Sequence, residues 1–218
     1  MINLSTVNSS QCLRAYIHHW IDMLTQLGLE LEQFMQASKE NLPAMLKIVA
    51  ALWAFSIVNF KLGKPFNILG IKPRRIKGLF GIIFAPVLHA DYNHLFFNTI
   101  PLFFLGLFTM SLGQIKFYIA TLIITILAGL GVWLFGRRGN HVGASALIAG
   151  YFGYVMGEAY NQPTFTALFC GGIALYYFGG IITSLVPTSA RVSWEGHLLG
   201  FLSGIAAIFI IPYIPMPM

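Results

Sequence analysis

Through the first 42 residues the apolar positions form a stripe. Leu13, Ile17, Trp20, Leu24, Leu27, Leu31 and Phe34 recur every three or four residues, with polar and charged residues between them. That period puts them on one helix face and predicts an amphipathic segment that lies on a membrane surface or packs on a neighbouring bundle. From about residue 43 the pattern changes to long apolar runs separated by short polar breaks. The runs at 42–60, 92–110, 115–135, 142–160, 164–186 and from Trp194 onwards are each long enough to cross a bilayer. Between the first two, residues 61–78 form a basic loop with prolines and glycines. The short apolar stretch 79–88, interrupted by Pro86, reads as an interfacial segment. The expected fold is all-helical: a six-transmembrane-helix bundle over residues 43–218, with an amphipathic N-terminal extension over residues 1–42.

Composition agrees with the pattern. The chain is 57% hydrophobic and only 9% charged, against about 25% charged in soluble domains. The net charge is +6, but lysine and arginine gather in short loops, which speaks of membrane topology rather than nucleic acid. Cys12 lies in the polar region and Cys170 inside an apolar run, so a disulfide is not expected.

Against this background, polar residues within the spans need a reason, because each is costly in a membrane. His89, Asp91, Asn93, His94 and Asn98 cluster at the start of the second run. His94 and Asn98 are four apart and share a helix face. Ser145 begins the fourth run, flanked by Gly143 and Ala144. There a helix N-terminus offers free N–H groups and favours developing negative charge. His197 lies one turn into the sixth run, beside Gly196, Gly200 and Gly204, a small-residue stripe that admits a neighbouring helix. In a six-span bundle the second, fourth and sixth runs start on the same membrane side. Topology therefore brings His89, His94, Asn98, Ser145 and His197 to similar depth. Ser145 and His197 then form a candidate nucleophile–base pair, and His94, Asn98 and the Ser145 N–H form a candidate oxyanion site. Two other groups compete locally. His141 is a second possible base, and Glu195, with Ser193, reads as a cap on the sixth helix.

These residues resemble the rhomboid family of intramembrane serine proteases. His89, His94 and Asn98 have the family's H-x4-H-x3-N spacing, Gly143-Ala144-Ser145 its G-x-S, and His197, Gly200 and Gly204 its H-x2-G-x3-G. Gly153 and Tyr154 also fall where the family has glycine and often tyrosine. The resemblance implies a Ser145–His197 dyad that cleaves single-span membrane proteins at or near the membrane surface. His94, Asn98 and the Ser145 N–H would hold the oxyanion. His89, Gly143, Gly200 and Gly204 would support the site. It implies no metal or organic cofactor and no nucleic-acid partner. It also implies a multi-pass protein in the lipid bilayer, in the inner membrane of a bacterium. Ala146 departs from the family's usual glycine. Ala149 stands where many members carry a tyrosine against the catalytic histidine, and the first loop lacks a common Trp-Arg pair.

Three rival readings compete with this one. A non-cutting relative would bind transmembrane partners without hydrolysis. A histidine-box metal enzyme needs more histidines than the six here. A transporter would be expected to carry charge deeper in the bundle. Orientation has two readings. Nine basic residues fall in loops on the site's side and four on the other, which by the positive-inside rule points the site to the cytoplasm. The resemblance implies that it opens outward.

Overall fold

A computed structural model describes residues 9–186 and 193–215. Its regular elements are helices. Helix α1 spans Ser9–Lys61, 53 residues, about 80 Å at 1.5 Å per residue. The amphipathic segment and the first apolar run are therefore one helix, which passes through Pro43 without a boundary. Proline removes the bond to the carbonyl four residues back, but the helix is held there from outside. Asn41 Nδ2 donates to the Ala37 carbonyl at 2.8 Å and reaches the Met110 carbonyl at 3.4 Å. Ser38 Oγ meets Ser111 Oγ at 3.1 Å, and Met45 is buried. Nearer the N-terminus the apolar stripe is uncovered: Leu13, Ile17, Trp20 and Leu24 are exposed. It meets the bundle at Phe34, whose ring contacts Phe108 and Phe169.

After α1 the chain runs through 3-10 turns at Pro65–Leu69 and Ile76–Gly78, the short helix α2 (Gly81–Phe84) and a turn at Ala85–Val87. Helix α3 (Tyr92–Ser111) follows, with Asp91 as its cap, accepting from the His94 N–H at 2.8 Å. Gly113, at φ +144°, makes the tight turn into α4 (Gln114–Phe135). Then come α5 (Ser145–Asn161), α6 (Phe165–Phe178), α7 (Gly180–Thr183) and α8 (Trp194–Ile210), which ends in a turn at Ile211–Tyr213. Among the described residues four helices are long and apolar enough to cross a membrane: α1, α3, α4 and α8 with its final turn. Helix α5 has 17 residues and α6 has 14.

Two expected boundaries move. The fourth run becomes helical at Ser145 rather than at 142, because Gly143 takes φ +124° and gives its N–H to the Ala85 carbonyl at 2.9 Å. The fifth run is divided at Gly179 into α6 and α7. Adjacent glycines weaken a helix, and here four-residue bonding gives way to three-residue bonds, Ile182 to Gly179 and Ser184 to Ile181.

The core lies between α5 and α8. Ile148, Ala149, Tyr151, Phe152, Tyr154 and Val155 of α5 are buried. Its α8 face touches backbone directly. A Cβ added at Gly200 would fall 2.0 Å from the Ala146 carbonyl oxygen, one at Gly204 1.9 Å from that of Gly150, and one at Gly153 2.3 Å from that of Phe201. Small residues let membrane helices approach this closely, where apolar burial against lipid supplies no drive.

Substituting alanine at Gly204 should therefore force the two helices apart, at a cost of about 1–3 kcal/mol, typical of overpacking. Gly172, with open space around its Cα, is the control. Thermal unfolding in detergent should show a clear drop for Gly204→Ala and little change for Gly172→Ala. Equal effects would mean that the α5–α8 contact is not tight.

Candidate active site

Ser145 is the first residue of α5, and Ala144 at the cap position supplies no side-chain bond. Most helices cap their first N–H groups with Ser, Thr, Asp or Asn. Here those donors open into a cavity of about 690 Å³ whose walls include His94, Asn98, Gly143, Ser145, Arg137 and His197. The volume suits a small-molecule or peptide-sized occupant. Residues from α3, α5 and α8 that the spacing brought to one depth thus line one space.

Gly143 explains how α3 and α5 meet. A Cβ there would lie 2.6 Å from His94 Cε1, 2.7 Å from its Nε2 and 3.5 Å from Asn98 Nδ2. The His94 ring therefore covers the bare Cα, and only glycine fits both the space and the positive φ.

Asn98 is buried, and its Nδ2 stands 3.2 Å from His89 Nε2. The amide donates one hydrogen to His89 and keeps the other. His89 does not line the cavity. It is fully buried behind it, with its ring 5.2 Å from that of His94 and its Nδ1 in no hydrogen bond of ordinary geometry among the described residues. Burial and the neighbouring His94 push its pKa down to about 4, outweighing the upward pulls of the Val87 backbone and Asp91. A neutral imidazole is what lets Nε2 accept from Asn98. Asn93, by contrast, is exposed at the start of α3.

A chain of asparagines anchors this group, and sequence reasoning missed it. Asn59 of α1 donates to Asn67 Oδ1 at 2.8 Å, and Asn67 Nδ2 donates to the His89 carbonyl at 3.0 Å. Asn140 Nδ2 donates to the Asn67 carbonyl at 2.7 Å. One loop residue so ties α1 to the entries of both α3 and α5. Polar residues at the end of an apolar run were the available signal, but their partners are distant in sequence.

On α8, His197 is half-buried and its Nδ1 lies 2.8 Å from Ser184 Oγ. Among the described residues no hydrogen bond joins His197 to Ser145. His141 has both ring nitrogens engaged: Nδ1 with Ser193 Oγ at 2.8 Å and Nε2 with the Arg137 carbonyl at 2.9 Å. Its backbone also bridges to Ile71 in both directions at 2.9 Å. It is a clasp between loops.

Glu195 departs from the expected cap. It is buried, and its carboxylate receives Arg137 Nε at 2.5 Å and Nη2 at 3.2 Å. Ser193 makes no side-chain cap either, since its hydroxyl serves His141. A carboxylate entering a span needs a cation more than a helix end needs a cap. Arg74 is similarly engaged, its Nη1 donating to the Leu134 and Gly136 carbonyls at 3.0 Å and closing the end of α4. Two of the nine basic residues counted for topology are thus tied to internal partners. Ala146, where the family usually has glycine, finds room because Gly196 faces it: a Cβ at Gly196 would sit at an ordinary 3.8 Å from the Ala146 methyl.

An all-helical bundle with short apolar helices around a serine- and histidine-lined cavity defines a polytopic membrane protein. The Rhomboid domain family matches residues 77–214, and the chain belongs to that family. Similar proteins include an uncharacterised protein of Mycobacterium tuberculosis (strain ATCC 25618 / H37Rv), 36% identical over 176 residues covering 77% of this chain and 73% of that one. An uncharacterised Mycobacterium bovis protein has the same identity and coverage. One from Mycobacterium leprae is 31% identical over 177 residues, covering 77% and 70%.

Replacing Arg137 by glutamine should strand the Glu195 carboxylate. The arginine side chain is 46% exposed, so the expected loss is about 1–2 kcal/mol, below that of a fully buried pair. Adding Glu195→Gln should recover part of it in thermal unfolding. No recovery would mean that the pair is not what holds the loop to α8.

Proposed function

We propose that this rhomboid-family protein is a serine endopeptidase that cleaves single-span membrane proteins at or just inside the membrane surface. The observation that carries this is the convergence of Ser145, His197, His94 and Asn98 on one cavity. Ser145 Oγ attacks the scissile carbonyl while His197 Nε2 takes its proton. The carbonyl oxygen becomes an oxyanion facing the Ser145 N–H, the spare Asn98 N–H and His94. Collapse of this intermediate breaks the peptide bond as His197 protonates the leaving amine. Water then repeats the sequence on the acyl-enzyme, releasing the acid and restoring Ser145. Catalytic hydrogen bonds commonly tighten only once the reacting group is in place, which accommodates a Ser145 and His197 that share a wall without bonding.

With α5 and the α6–α7 pair taken as short crossings beside the four longer helices, the bundle has six spans. It belongs on this reading in a bacterial inner membrane. Substrate segments with glycine or proline are favoured, because a helical peptide bond is shielded by its own hydrogen bonding. The missing Ser145–His197 bond favours the competing reading, a non-cutting relative that holds transmembrane partners in the same cleft.

A fluorophosphonate serine-hydrolase probe separates the two. The wild type in detergent should label, and Ser145→Ala and His197→Ala should not. Asn98→Ala should label about 100-fold more slowly, the typical loss for one oxyanion donor. A folded wild type that does not label favours the non-cutting reading.

A further inference from the structure

We propose that Ser184, just past the end of α7, is a positioning residue for His197: its hydroxyl oxygen accepts the Nδ1–H and leaves Nε2 as the free base. The proposal rests on the reading of His197 as general base, but its geometry does not.

The positions of the protons decide the direction of each bond. Ser184 Oγ lies 2.6 Å from the Ile181 carbonyl oxygen. Two oxygens that close need a hydrogen between them, and a carbonyl has none to give. The Ser184 hydroxyl proton therefore points at Ile181. A hydroxyl has a single proton and two lone pairs, so Oγ can only accept from its other neighbour, His197 Nδ1 at 2.8 Å. The imidazole must carry its hydrogen on Nδ1. In a neutral ring Nε2 then holds the lone pair, as a general base requires.

The second serine–histidine pair on the same cavity has the opposite polarity. His141 Nε2 faces the Arg137 carbonyl at 2.9 Å, which can only accept, so Nε2 holds the hydrogen. His141 Nδ1 must then accept from Ser193 Oγ at 2.8 Å. Both nitrogens of the neutral His141 ring are thus engaged. Of the two imidazoles paired with a serine, His197 alone has a ring nitrogen without a hydrogen bond among the described residues, its Nε2, while its Nδ1 meets a hydroxyl whose proton is already given to Ile181.

The fold arranges this deliberately at one point. The break at Gly179 shortens α7, and the tighter turn that follows returns Ser184 to α8, with its N–H also on Ile181 at 2.9 Å. Helix α5 offers no comparable hold, because Ala149 presents only a methyl. In serine hydrolases with a third residue, a carboxylate fixes the tautomer from the same nitrogen. Here a neutral hydroxyl takes that place.

The test uses full-length protein labelled with 15N-histidine in detergent micelles, with His197→Gln identifying the His197 signals. The neutral wild-type ring should show a protonated Nδ1 and a bare Nε2. Ser184→Ala should mix the tautomers, and Ser184→Thr, which keeps a hydroxyl, should restore the single form. On a cleavable transmembrane peptide, Ser184→Ala should lose about tenfold in kcat, roughly 1.4 kcal/mol, with KM unchanged and recovery in Ser184→Thr. A protonated Nε2 in the wild type, or the same tautomer in Ser184→Ala as in wild type, overturns the proposal. The spectrum needs no hydrolysis. A protonated Nδ1 in a protein that labels no serine probe supports the tautomer assignment while removing the endopeptidase reading, and a labelling enzyme with a protonated Nε2 does the reverse.

Discussion

The backbone contact between α5 and α8 sets the geometry of everything at the site. Ala146, whose carbonyl oxygen lies against the Cα of Gly200, directly follows Ser145, and Gly200 is one turn past His197. The separation of the two helices therefore also sets the separation of the Ser145 and His197 side chains. Lipid gives no hydrophobic reason for helices to associate, so the contact depends on close dispersion and on Cα–H to carbonyl approaches that only glycine permits. One methyl added at this seam would move both side chains without touching either.

Around that seam the polar residues are held from outside the spans. Asn59, Asn67 and His89 run from α1 to Asn98. The Ile71–His141 bridge, the Trp133 Nε1 bond to the Arg75 carbonyl and the Arg137–Glu195 pair fasten the loops above α4, α5 and α8. Buried polar groups in a membrane protein need defined partners. Here those partners also hold the side chains along the cavity, Asn98 through His89 and His197 through Ser184.

Much of this was legible in the sequence, for a physical reason. A bilayer demands long apolar runs, so the runs and the polar residues that interrupt them stand out. His94, Asn98, Ser145 and His197 could be brought to one side by counting spans. What was not legible depended on contacts distant along the chain. Pro43 looks like a boundary until Asn41 and Ser38 are seen fastened to the end of α3. Residues 142–144 read as helix until Gly143 turns to admit His94. Glu195 looks like a cap until Arg137 arrives from a loop 58 residues away. Ser184 carries no local signal at all, being one hydroxyl in an apolar run whose meaning depends on where the helix breaks.

On the proposed mechanism Ser145 and His197 act together, with the oxyanion held between α3 and the start of α5. A structure of the protein after reaction with a phosphonate probe is the sharpest check. It should show phosphorus bonded to Ser145 Oγ, its oxygen within hydrogen-bonding distance of the Ser145 N–H and Asn98 Nδ2, and His197 Nε2 turned toward the serine oxygen. A phosphonate on another residue, or one whose oxygen points away from Asn98 with His197 remote, would contradict it.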